Sequence, residues 1–136
     1  MFYSNFSKST DKYYLNPNDY IDVTERAGSI FEEPIVHRLY RVVYLKSVAF
    51  NAYCYPISPG TEGGYIESES NLSQAGNCVV LDGAKVFGNA NVSGDACVCD
   101  EAIISGSAMI KNNALVCGEA AVSDSARVIM NAIVEG

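Results

Sequence analysis

Positive charge is scarce in this sequence. Nine Lys and Arg residues stand against 16 Asp and Glu in 136 positions, a formal net charge of -7. That balance opposes any partner held through phosphate charge, so neither nucleic acid nor an anionic membrane surface is expected. Long apolar runs are missing as well: none approaches the roughly 18 residues that a membrane span requires. The stretch from Met1 to Tyr14 lacks the basic segment and apolar core of a secretory leader. Cysteine occurs five times, an odd number, without a Cys-x-x-Cys pair. With no export signal, this predicts a cytoplasmic protein with mostly reduced thiols. Histidine occurs once, at His37. There is no nucleophile elbow, P-loop or dinucleotide fingerprint, and Gly60 to Gly64 has neither the spacing nor the following helix of a phosphate loop. No catalytic residue, cofactor or metal is expected.

What is present is globular in composition, with 49% apolar and 18% charged residues. It divides into two parts. All nine tyrosines lie at or before Tyr65, whereas three of the nine basic residues follow it. Between the parts runs Pro56-Ile57-Ser58-Pro59-Gly60-Thr61-Glu62-Gly63-Gly64, which breaks helix and strand alike. The boundary is placed near residue 62, giving an aromatic-rich region 1–62 and a second region 63–136. In the first, Asn16-Pro17 ahead of a segment ending at Gly28 has the cap, first-turn Pro and terminating Gly of one short helix. Ile35 to Leu45 and Val48 to Tyr55 are rich in β-branched and aromatic residues and predict two strands.

The second region repeats every six residues. Ala84, Ala90, Ala96, Ala102, Ala108, Ala114, Ala120, Ala126 and Ala132 form one column, with Cys78 one step earlier. Two residues after each stands Val or Ile, from Val80 to Val134, and two further on a turn former such as Asp82, Gly88, Gly94 or Asp100. Only Met130 breaks the third column. Residues two apart on a strand share a face, so Ala and Val point together to one side. Gly, Asp and Asn tolerate the left-handed backbone of a tight corner. Each hexad therefore makes one short strand and one corner. Three hexads close a coil, and coils stack about 4.8 Å apart through parallel ladders. A helix is excluded, since period six would set successive Val residues about 240° apart around it.

These columns resemble the hexapeptide repeat of left-handed parallel β-helix proteins. The lead-in Gly63-Gly64-Tyr65-Ile66-Glu67-Ser68-Glu69-Ser70-Asn71-Leu72-Ser73-Gln74 is more distinctive. It resembles that of a group of bacterial, phage and prophage proteins with this repeat, and His37-Arg38-Leu39-Tyr40-Arg41 is similar to the strand region preceding it there. The resemblance covers roughly residues 36–136. It implies a short left-handed parallel β-helix, and with the strands and helix read above the expected fold is mainly β: about three coils with a small aromatic-rich cap of mixed strands and one short helix. It also implies a mobile-element association, and no particular reaction.

With about 18 residues per coil, outward positions sort into three faces. One reads Val79, Leu81, Cys97, Cys99, Leu115, Cys117, Ile133 and Glu135. So apolar a face is not expected to lie open to water. Either the N-terminal region folds over it or it joins subunits in a dimer or trimer, and both can hold together. Cys97, Cys99 and Cys117 could approach a zinc ion, but a fourth ligand is missing and apolar thiols are the reading adopted. Asp82, Asp100, Glu101 and Glu119 line one corner, where they act as turn formers and a soluble edge and could face a basic partner. Lys111 and Arg127, on the third face, are the repeat's candidate phosphate contacts.

Proteins that resemble this chain in fold include acyltransferases, whose chemistry usually needs a histidine base between subunits and an extruded loop. Here the repeat has no inserted loop, and His37 lies outside it. The reading is therefore a non-enzymatic binding or assembly protein: a phage or prophage accessory protein, homo-oligomeric, that inhibits a host defence protein with a basic surface in the host cytoplasm. The alternatives are a small-molecule or signalling-nucleotide sponge with sites between subunits, and a degenerate acyltransferase.

Overall fold

The computed structural model describes residues 11–25, 33–48 and 56–136. Two long strands, β1 (Tyr13–Glu25) and β2 (Ile35–Tyr44), pair antiparallel. Strand β3 (Glu62–Ile66) then leads into ten short strands. These are β4 (Val79–Val80), β5 (Lys85–Val86), β6 (Asn91–Val92), β7 (Cys97–Val98), β8 (Ile103–Ile104), β9 (Met109–Ile110), β10 (Leu115–Cys117), β11 (Ala121–Val122), β12 (Arg127–Val128) and β13 (Ile133–Glu135). They assemble into three sheets, ordered β1-β2-β3-β5-β8-β11, β4-β7-β10-β13 and β6-β9-β12. Within the stacked coils every pairing is parallel, as with Val86 opposite Ile104 and Val80 opposite Val98. The chain is a parallel β-solenoid whose coils advance 18 residues at a time, as from Val80 to Val98.

The solenoid has about four turns, not the three expected from the regular repeat. The additional turn comes from the lead-in, where Ile66 pairs with Val86 and Leu72 bridges to Val92. Ile66, Leu72 and Val80 are fully buried and head the three inward stacks. Leu72 and Val80 are eight residues apart, so a six-residue count misses this turn. Inward Val and Ile fill the interior, and the Ala column from Ala84 to Ala120 lies at most 6% exposed. Each corner turns on one residue of positive φ, including Asp82 (59°), Asp100 (59°) and Asn112 (61°). The turn then closes by a backbone bond, as Ala84 N–H donates to Leu81 C=O. Met130 takes the same conformation at φ 61° without the local polar side chain that makes it tolerable.

The expected helix after Asn16 is instead strand β1. Among the described residues the only helical element is a single 3-10 turn at Glu69–Asn71. Pro17 and its neighbours fall in a register irregularity between Asn16 and Tyr20, where the missing proline N–H leaves no ladder bond open. Beyond it, exposed Tyr20, Asp22 and Thr24 alternate with half-buried Ile21 and Val23, a period of two. Residues 26–28 of that expected helix, and all but Val48 of the strand expected over 48–55, lie outside the described residues. Val48 itself bridges Ile57.

The first turn has no coil above it: strand β2 pairs with it along β3, and side chains supply partners elsewhere. Tyr44 Oη donates to Val80 C=O at 3.0 Å and accepts from Val80 N–H at 2.9 Å. Within that turn, buried Asn71 donates down to the Gly88 and Ala90 carbonyls of the next turn and accepts from the Glu67 and Ser68 amides, using its full capacity. Tyr13 Oη donates to Leu72 C=O. Lys12 Nζ donates to Cys78 C=O at 2.7 Å and to Gly76 C=O at 3.4 Å.

Two stability measurements check this account. Tyr44→Phe strands both Val80 backbone groups in a buried site, and its urea midpoint should fall by the equivalent of about 1–3 kcal/mol with an unchanged slope. Met130→Asn should shift the midpoint the other way, by about 0.5–1 kcal/mol, because Asn occupies the left-handed region at lower cost.

Candidate functional site

The mainly apolar face of the coils is assembled by in-register stacking: Val79, Cys97, Leu115 and Ile133 are successive Cα partners. Its exposure is graded. Val79, Leu81 and Cys97 are buried within the chain itself, in one apolar cluster with Val48 and Ile57 and with Leu15 packed against it. Cys99, Leu115 and Cys117 are half-buried, and Ile133 is 50% exposed. The upper part of the face is thus enclosed, while the lower part forms a strip of thiol and apolar groups at the surface. The thiols differ in state: Cys78, Cys99 and Cys117 are free, whereas Cys97 is disulfide-bonded. The expectation of mostly reduced thiols therefore does not extend to Cys97.

At the adjoining corner, Asp82 and Asp100 form a ladder between coils. Asp82 Oδ2 accepts the Asp100 N–H, and Asp100 Oδ2 accepts the Gly118 N–H. Glu101 and Glu119 are exposed beside them. Asp82, Asp100 and Cys99 each bring a ligand-type atom within 4.8 Å of the others. The thiol is poorly prepared for a metal, since burial, then Asp100, Cys117 and Asp82, push its pKa up to about 12. Each carboxylate has one oxygen engaged by a backbone amide. Lys111 and Arg127 sit on the third face in adjacent coils, Lys111 half-buried and Arg127 exposed and opposite Met109.

His37 is the center of a site that the sequence does not announce. It lies on β2, its side chain 11% exposed, with its ring 4.8 Å from the Phe87 ring. Nδ1 meets the Glu67 carboxylate at 3.0 Å, and Nε2 meets Glu25 Oε1 at 2.8 Å. Glu67 Oε1 also accepts the Gly88 N–H, which fixes that carboxylate to the turn below it. Burial works against the imidazolium, but the hydrogen bonds and charges of Glu25 and Glu67 outweigh it and raise the His37 pKa. The arrangement is an ionic clasp joining β1, β2 and the lead-in. Glu25 lies 12 residues before His37 and Glu67 30 after it, so the β1–β2 register brings in the first and the β2–β3 register the second.

A second polar cluster supports the same hairpin. Arg41 pairs with Asp19 at 3.0 Å, donates to Gly63 C=O and Tyr65 Oη, and lies 4.3 Å from the Tyr65 ring center. On the opposite face of the hairpin, Arg38 pairs with Asp22 and covers exposed Tyr20, whose ring meets Tyr40 edge-on. Among the described residues no helix is long and apolar enough to cross a membrane.

Because the His37 pKa is raised on folding, its contribution to stability is fully present below the unfolded value of about 6.5 and is lost as pH rises through the folded value. Wild type should therefore exceed His37→Gln in melting temperature by more at pH ~5.5 than at pH ~9. Equal differences at both pH values would remove the clasp. Compared with known proteins, the chain matches no protein-family model and no curated protein.

Proposed function

We propose that this is a non-enzymatic binding and assembly protein, a left-handed β-helix of the hexapeptide-repeat kind and of the phage and prophage accessory group. Residues 1–62 form its capping and interaction region and 63–136 its coils. It acts in the host cytoplasm as a homo-oligomer that binds and inhibits a host defence protein. Six-residue sides, three to a coil, support the hexapeptide reading.

The observation that carries the assembly reading is the graded apolar face. The chain encloses Val79, Leu81 and Cys97 but leaves Leu115, Cys117 and Ile133 partly bare, stacked in register on one side. An apolar strip of this kind is a self-complementary patch for a second copy. The exposed carboxylates of Asp82, Asp100, Glu101 and Glu119 border it and suit a basic partner. The acyltransferase reading is weakened by His37, whose two ring nitrogens both meet carboxylates and leave neither free to take a proton from an acyl acceptor.

Absolute mass in solution tests the reading. Wild type should be a multimer, and Leu115→Glu/Ile133→Glu should be a monomer with an unchanged circular dichroism spectrum. A monomeric wild type overturns self-assembly through this strip. The complex with a basic host protein should weaken steeply as salt rises, and salt-independent binding would exclude the acidic corner as its contact.

A further inference from the structure

The Lys12–Cys78 contact in the cap carries chemistry beyond its hydrogen bonds. Lys12 is 5% exposed and Cys78 is fully buried. Nζ lies 3.2 Å from Cys78 Sγ, and its other partners are the carbonyls of Cys78 and Gly76. The sulfur faces two further carbonyls, Ser73 at 3.5 Å and Ala75 at 3.6 Å. Amine and thiol are thus held together by neutral carbonyl acceptors, with the Asp95 carboxylate near enough to act on the ammonium. Burial, working against Cys78 and Asp95, holds the ammonium below the usual lysine range, which raises the share of neutral, nucleophilic amine. Cys78 also stands in a column that is otherwise Ala from Ala84 to Ala132, so packing does not call for a sulfur there.

We propose that Lys12 and Cys78 are a modification site, forming a covalent Nζ–O–Sγ bridge with dioxygen as the oxidant. The thiol takes up dioxygen as a hydroperoxide: an S–O bond forms and the thiol proton moves to the distal oxygen. The Nζ lone pair then attacks the sulfur-bound oxygen. An N–O bond forms, the O–O bond breaks, and the departing hydroxide takes one Nζ proton and leaves as water. Amine, thiol and dioxygen thus give the bridge and one water. Sulfur and nitrogen each lose two electrons, and dioxygen accepts all four. Dioxygen is small and uncharged, which suits a site closed to bulkier or ionic oxidants.

The bridge would tie the start of β1 to the first coil across 66 residues of chain, a crosslink that restricts the unfolded state and favors the folded one. It would make the seating of the hairpin dependent on oxygen exposure and reversible by thiol reductants.

Intact-mass spectrometry of the full chain after oxygen exposure tests this, with peptide mapping. The expected result is a gain of one oxygen less two hydrogens. It should map to a crosslink between the Lys12 and Cys78 peptides, disappear on reduction and accompany a raised melting temperature. Cys78→Ala, which restores the column's own residue, and Lys12→Gln should both lack the gain. No gain, a gain that persists in Cys78→Ala, or oxygen on Cys78 with Lys12 unlinked would each overturn the bridge.

Discussion

The solenoid rests on a demand its repeat cannot satisfy alone. Each coil offers backbone N–H and C=O groups along its axis, and each buried group needs a partner. Between coils the partner is the next coil. Above the first turn it is strand β2 on one side and side chains on the others, Tyr44 on Val80, Tyr13 on Leu72 and Lys12 on Gly76 and Cys78, while Asn71 of that turn stands in for its backbone toward Gly88 and Ala90. None of these belongs to the six-residue pattern. The N-terminal hairpin and the lead-in are therefore the condition under which the repeat can begin, since a parallel edge left open invites pairing with another chain.

The same cap explains the arrangement of charge around the hairpin. Once Tyr13 and Tyr44 are drawn into the core, the rest of β1 and β2 runs past the coils and must be fixed at its far end. His37 with Glu25 and Glu67, and Arg41 with Asp19 and Tyr65, provide that fixing with partly screened ionic contacts. Such contacts hold orientation more than they add stability. Apolar burial seats one end of the hairpin and ion pairs align the other.

The coils were legible in the sequence because their geometry is periodic and local: a side of six residues needs the same small inward residue, branched residue and corner former each time. The added turn was not, because Leu72 and Val80 stand eight residues apart and break the count. Strand β1 was hidden by Asn16-Pro17 and Gly28, local signals that suit a helix end equally well, while the Tyr20–Thr24 alternation that favors a strand is short. Antiparallel pairing with β2 decides between them. Lys12 reads as an ordinary surface cation near the start of the chain, and nothing beside it indicates that it closes a carbonyl cage more than sixty residues away. The partners of His37 depend in the same way on register, which one sequence does not display.

The hairpin is not placed symmetrically on the three sides of the solenoid. It continues one sheet only, the one running through β3, β5, β8 and β11, and the other two sheets begin within the coils. A pull or twist on β1 and β2 therefore has an uninterrupted backbone ladder down one side to Ala121 and Val122, while the remaining sides receive it through side-chain bonds, Tyr44 to Val80 and Tyr13 to Leu72, and through the corners. Mechanically the molecule is a three-sided column with its handle on one side, so a load on that handle bends the column toward or away from that side instead of stretching all three equally.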